Sequence, residues 1–279
     1  MNDDVHPPMT AVFDVVARAL NEDLLPLGDL TASLLPPTLK ARAAFVIRQD
    51  GVFAGRLCAQ ETLRQIDPSI HAEWAFDDGD KVVAGNTLAE VGGSLRSMLT
   101  AERTALNLMC HLSGIATLTR RFADAVAPVR LRDTRKTTPG LRALEKAAVR
   151  AGGGVNHRAN LSDGILVKDN HLGGLTITEA VRKAGERWPG RVVEVECDTI
   201  EQVREAVAAG AGMVLLDNMS PQQVTDAVAE VAGRIPVEVS GGISLETAPS
   251  YARTGADFVS VGAITHSAPI LDIALDLEP

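Results

Sequence analysis

Apolar and polar positions follow two different rhythms along the chain. From Ala41 the pattern comes in short alternating or apolar pieces, ARAAFVIRQD, HAEWAF and DKVVAGNTLAEVGG. Gly51, Gly79, Gly85 and Gly92 fall where the chain needs to reverse. GRLCAQETLRQI, between the first two pieces, has helical spacing, and so does MTAVFDVVARALNEDL ahead of them. These features predict a small antiparallel sheet with flanking helices. A long helical pattern from Ser94 to about Ala125, with a break expected near Ser113-Gly114, leads into the second half.

There the rhythm changes to short β-branched runs separated by amphipathic segments. The runs are VRLRDT, DGILVKD, RVVEVECD, GMVLLDN, PVEVSGG and DFVSVGA. Between them lie TITEAVRKAGERW, TIEQVREAVAAG and SPQQVTDAVAEVAG, with Thr199 and Ser220 placed as N-caps and Gly210 and Gly233 as stops. Strand and helix alternating at this spacing predict parallel βαβ units, and near-continuous apolar strands predict a sheet covered on both faces. The longer gap after the first run leaves room for another short strand near Val155. The fold class is therefore α/β, with domains expected at 1–112 and 113–279 and the last ~10 residues able to rejoin the first.

The carboxyl ends of the six runs carry Asp133 to Lys136, Lys168-Asp169, Glu196, Asp217, Ser240-Gly241-Gly242 and Gly262. Core packing does not require polar or glycine residues at every such end. In a β/α barrel these ends meet at one mouth, where catalytic groups sit. An open doubly wound sheet gathers ligands only near a switch point, so the barrel is the favoured reading. Glu196 and Asp217 offer carboxylates to ribose hydroxyls or to a hard cation such as Mg²⁺. Each glycine alone reads as a simple turn. Ser240, Gly241 and Gly242 beside Gly262 on the next strand end suit the close approach of a phosphate to backbone N–H groups.

Charge sharpens the picture. The chain is acidic, net −9 with a pI near 5.2, which argues against a nucleic-acid partner. Yet Arg132 to Leu172 holds eight cations against four carboxylates. Positive charge so local fits a small anionic ligand. Arg135, Lys136, Arg158 and Lys168, with His157, can surround several carboxylate or phosphate groups, and arginine forks match carboxylates in bidentate geometry. Arg142, Lys146 and Arg150, four residues apart, read as a solvated rim, with Glu145 as ordinary surface charge.

Two other chemistries compete. Lys168, ending ILVK, could form a Schiff base as in class I aldolases. GDKVVAGNTLAEVGG resembles the hammerhead of biotinyl and lipoyl carriers, although Lys81 sits at a strand start instead of a hairpin tip. Three cysteines without CxxC spacing favour a reducing, cytoplasmic setting, and Cys110-His111 is read as two helical neighbours, not a catalytic pair. MNDDVHPPMT lacks the basic and apolar regions of a secretory signal, and no apolar run is of membrane-spanning length.

The stretches EDLLPLGDLTA, AERTALNLMCHLSGIAT, DTRKTTPGLRALEKAAVRAGGGVNHRANLSDGILVKDNHL, VEVECDT, VLLDNMSP, VEVSGGI and VSVGAITHSA resemble, in order, those of the quinolinate phosphoribosyltransferase family. The first stretch is slightly longer than the family's usual form. The resemblance implies an amino-terminal α/β sandwich joined to an incomplete β/α barrel. It implies phosphoribosyl transfer from phosphoribosyl pyrophosphate to quinolinate with decarboxylation, using Mg²⁺. It further implies that Arg135, His157, Arg158 and Lys168 bind quinolinate and that Lys136 faces phosphoribosyl pyrophosphate, with Thr134 in the substrate-binding set. Glu196 and Asp217 would serve the ribose and the metal, and Ser240, Gly241, Gly242 and Gly262 the 5′-phosphate. Arg103 would reach the neighbouring site of a homodimer, with any higher assembly left open. A relative from molybdenum-transport operons shares the fold and some motifs and is the alternative within the family.

Overall fold

In the computed structural model, which describes residues 5–278, the chain forms two compact units. One takes the described residues up to Arg120, Thr137–Gly153, and the chain from Ile264 onward; the other takes Arg121–Lys136 and Gly154–Ala263.

The first unit opens with α1 (Met9–Leu24), β1 (Lys40–Ile47), β2 (Gly51–Val52) and α2 (Arg56–Ile66). It continues with β3 (His71–Trp74), β4 (Lys81–Val82), β5 (Thr87–Ser94) and α3 (Leu95–Val126). Alternation in β1 buries Ala43, Phe45 and Ile47 on one face. With Phe53, Leu88, Met98 and Met109 they form the core, and Trp74 stacks on Phe45 and Phe53 at 6.0 and 5.9 Å between ring centroids. Lys81 starts β4, paired with Val52, which is not the hairpin tip a carrier module requires.

α3 runs unbroken through Ser113-Gly114, against expectation. Both residues are small because other backbone comes close there. Ser113 Oγ donates to Ala54 O at 2.9 Å and accepts from Ala54 N at 3.0 Å. A Cβ on Gly114 would stand 2.1 Å from Pro269 O.

β6 (Arg130–Arg132) starts the second unit, and α4 (Arg142–Ala151) returns to the first. The rim reading of α4 is corrected here: Glu145 is fully buried and Lys146 nearly so. Glu145 meets His111 Nε2 at 2.8 Å and accepts Thr138 N at 3.0 Å, so its charge is spent inside the fold. The same contact engages the ring of His111 away from the Cys110 thiol, which donates to Ile273 O.

Then come β7 (Ile165–Val167), α5 (Asp169–Leu172), α6 (Ile177–Arg187), β8 (Val193–Cys197), α7 (Ile200–Ala208), β9 (Met213–Asp217), α8 (Pro221–Val231) and β10 (Val237–Ser240). α9 (Ala248–Tyr251), β11 (Phe258–Ser260), α10 (Ala263–His266) and β12 (Ile273–Leu277) complete the chain. Thr199 and Ser220 cap α7 and α8 as their sequence predicts, each within a capping box. β12 pairs with β1, giving the first unit a four-stranded antiparallel sheet in the order β12-β1-β5-β3.

The second unit holds a six-stranded parallel sheet in the order β6-β11-β10-β9-β8-β7. That is a barrel's cyclic order, cut between β6 and β7. Val155 forms an isolated parallel bridge to Arg132 at the cut, which is the extra strand the long gap suggested, reduced to one residue. An incomplete barrel results. Among the described residues, no helix is long and apolar enough to cross a membrane.

Candidate active site

Every second residue of a strand points to the same face, so a barrel strand sends alternate residues inward. The inward pairs are Glu194 and Glu196 on β8, Leu215 and Asp217 on β9, and Glu238 and Ser240 on β10. Ladder register brings Glu196 beside Leu215, Leu215 beside Glu238, and Asp217 beside Ser240. At the carboxyl ends the inward residues surround a cavity of about 390 Å³. Thr134, Arg135, Lys136, His157, Arg158, Lys168, Glu196, Asp217 and Ser240 all line it, with Leu166, Leu215, Glu238 and Ser260.

One wall is cationic. Arg158 Nη1 donates to Gly164 O at 3.0 Å. Burial, and then the neighbouring Arg135, hold its guanidinium below the usual arginine range. Opposite stands the acidic side, and Lys168 Nζ joins the two by donating to Glu196 Oε2. With its amine on a carboxylate and arginines around it, Lys168 lacks the apolar pocket that Schiff-base chemistry wants. Asp217, at the mouth, accepts Asn218 Nδ2 at 2.6 Å.

Gly241 has a structural reason to be glycine. Its φ is +99°, and a Cβ would lie 2.2 Å from Asn218 Oδ1 and 2.7 Å from Asn218 N. Gly241, Gly242 and Gly262 follow β10 and β11, adjoining the lining residues Ser240 and Ser260 without lining the cavity themselves. Arg103 is not among the residues that line the cavity. It lies on α3 in the first unit, two-thirds exposed, with Glu102 its neighbour at 3.9 Å.

At the base of the cavity lies a layer in which strand-end reasoning missed Glu194 and Glu238. Asp133, fully buried, accepts Asn156 Nδ2 and His157 N, each at 2.7 Å. His157 Nδ1 accepts Arg158 N at 2.6 Å, and its Nε2 lies 3.0 Å from Glu194 Oε2 and 3.6 Å from Glu238 Oε1. Arg132 donates to Glu238 Oε2. The signal was present in VEVEC and VEVS, where a glutamate replaces an apolar residue at an inward position.

Burial, and then Glu194, raise the Glu238 carboxyl above the usual carboxylate range. Among the described residues, imidazole and carboxylates approach closely enough to ligate a cation at His157, Glu194 and Glu238 and at His6, Asp77 and Asp78. In the first of these, the Arg132 guanidinium already answers the charge of Glu238. The cysteines are buried, and burial pushes the thiols of Cys58 and Cys197 up to about 12, leaving them poor nucleophiles.

With this geometry in view, the sequence signature described as Quinolinate phosphoribosyl transferase, C-terminal domain, matches residues 115–276, and its N-terminal counterpart matches residues 29–113. The chain belongs to the quinolinate phosphoribosyl transferase family. It is 44% identical to a nicotinate-nucleotide pyrophosphorylase [carboxylating] of Mycobacterium leprae, covering 96% of this chain and 97% of that one. A probable enzyme of the same name from Bacillus subtilis is 42% identical, over 90% and 88%. A solved nicotinate-nucleotide pyrophosphorylase from Francisella tularensis superposes with a TM-score of 0.94 at 39% identity, covering 99% of both chains. In this quinolinate phosphoribosyl transferase family member, the break between the two matched regions falls inside the continuous helix α3.

The buried floor makes stability depend on pH. Because the folded-state pKa of Glu238 is raised, its contribution is fully present below its unfolded pKa and is lost as pH rises through the folded value. Glu238→Gln removes that loss. Denaturant unfolding should therefore show the variant gaining stability relative to wild type as pH rises above the ordinary carboxylate range. A difference that stays constant as pH rises would reject the assignment.

Proposed function

We infer that this chain transfers the phosphoribosyl group of phosphoribosyl pyrophosphate to quinolinate with loss of CO₂, giving nicotinate mononucleotide and pyrophosphate. The observation that carries the reading is a single cavity whose cationic wall, Arg135, Lys136, Arg158 and Lys168, meets Glu196, Asp217 and Ser240. Quinolinate is a pyridine with two adjacent carboxylates, and its partner carries a phosphate and a pyrophosphate. A cation-rich cavity with an acidic flank matches both.

Arg135 and Arg158 grip the carboxylates and set the ring nitrogen against C1′, which supplies the proximity contribution. The nitrogen lone pair forms the new bond to C1′ as the bond to pyrophosphate breaks, with positive charge developing on the ribose. Glu196 and Asp217 offset that charge, and Lys136 receives the departing pyrophosphate. In the nucleotide formed, the ring nitrogen is positively charged. The 2-carboxylate then leaves as CO₂, its bonding pair stays on the ring carbon stabilised by that nitrogen, and a proton from solvent takes its place.

Two carboxylates at an open mouth, Glu196 and Asp217, fit Mg²⁺ held chiefly by substrate phosphates and water. When bound there, the ion would supply positive charge to offset that of the leaving pyrophosphate. The Ser240-Gly241 turn, drawn tightly against Asn218, suits the 5′-phosphate.

A homodimer completes the reading. Arg103 is two-thirds exposed, and Leu25, Leu27, Leu30 and Leu34 are each more than 60% exposed after α1. Apolar surface of that kind asks for a partner chain, and Arg103 extends toward that chain's quinolinate.

The direct test is CO₂ release on mixing quinolinate with phosphoribosyl pyrophosphate. Arg135→Ala or Arg158→Ala should cut kcat/KM for quinolinate by about 2–3 kcal/mol, the worth of a lost charge-assisted bond. Wild-type kinetics in both variants would reject the site. Mixed dimers of Arg103→Ala and Lys168→Ala subunits should regain activity that neither parent shows. Verified heterodimers without activity would exclude sharing.

A further inference from the structure

We propose that Glu194 is a positioning residue that acts through His157 to hold Arg158 against the substrate. The inference rests on the quinolinate reading of the cavity but adds a residue that does not line it.

A neutral imidazole has one N–H and one lone pair, and the hydrogen bond at one nitrogen decides the state of the other. At His157 the backbone N–H of Arg158 points at Nδ1 from 2.6 Å, so Nδ1 supplies the lone pair. The proton therefore sits on Nε2, which faces Glu194 Oε2 at 3.0 Å, within donating distance. Asp133 Oδ1 fixes the other end of the residue by accepting His157 N at 2.7 Å. His157 is held at its backbone and at both ring nitrogens.

Glu194 is well suited to the task. It is 5% exposed, points inward from β8 two residues before Glu196, and does not line the cavity. Its own Oε1 has no partner among the described atoms, so Glu194 spends its bonding on the ring. Two consequences follow. His157 presents its carbon edge to the substrate and no N–H. The Arg158 main chain, tied to the ring, keeps its guanidinium in place.

The test combines a spectroscopic signature with a kinetic one. Full-length protein carrying ¹⁵N-histidine, with the His157 signals assigned by their loss in His157→Gln, should show a protonated Nε2 and a bare Nδ1. Glu194→Ala should shift the Nε2–H signal as its acceptor is lost and raise KM for quinolinate at least about tenfold, while kcat and KM for phosphoribosyl pyrophosphate move less than about twofold. Glu194→Gln keeps a carbonyl oxygen for the Nε2–H and should restore both the signal and KM.

A proton on Nδ1 of wild-type His157 overturns the proposal, and it does so even if Glu194→Ala does not fold. A folded Glu194→Ala with unchanged quinolinate KM overturns it too, as does a Glu194→Gln as impaired as the alanine. A wild-type protein inert toward quinolinate would instead sink the proposed function, and the tautomer would still decide the hydrogen bonding of His157.

Discussion

Like charges held together inside a cavity are the constraint around which the second unit is built. Burial, and then the closeness of Arg135, hold the Arg158 guanidinium below the usual arginine range. An open protein surface would let two such side chains part. Here Asp133 ties down the segment that carries Arg158, and Gly164 O holds its guanidinium. On the proposed reading, a dianion bound between them would relieve that repulsion.

The barrel supplies counter-charge in two layers. At the mouth, Lys168 and Glu196 link the cationic and acidic walls directly. Beneath them Arg132, Glu238, Glu194 and His157 form a buried network. Such networks cost stability when half satisfied, and each member limits the geometry of the next. A floor of this kind fixes the residues above it more closely than apolar packing alone. That matters where a ring nitrogen must be set against one carbon of a second substrate.

Much of this was legible in the chain. Parallel strands covered on both faces leave an unmistakable apolar run, so the polar residue that ends each one stands out, and the cavity gathers nine of the residues expected at those ends and in the cationic segment. What was not legible depended on contacts distant in sequence. Ser113-Gly114 looks like a helix break, and only the approach of Ala54 and Pro269 shows why small residues stand there. Glu145 and Lys146 carry the marks of a solvated face, yet α4 packs with the first unit and buries both. Glu194 and Glu238 were visible as alternating glutamates, but nothing in one strand tells which side faces inward. Arg103 does not line the cavity, although its stretch of sequence groups it with residues that do.

The central claim is that a small dianion is held by the cationic wall of this one cavity. A crystal structure of the protein grown with quinolinate tests it most directly. The account predicts the pyridine between the walls, with its carboxylates on Arg135 and Arg158 and its nitrogen turned toward the side of Glu196 and Asp217. Quinolinate bound elsewhere, or lying in the cavity with neither arginine on a carboxylate, would contradict it.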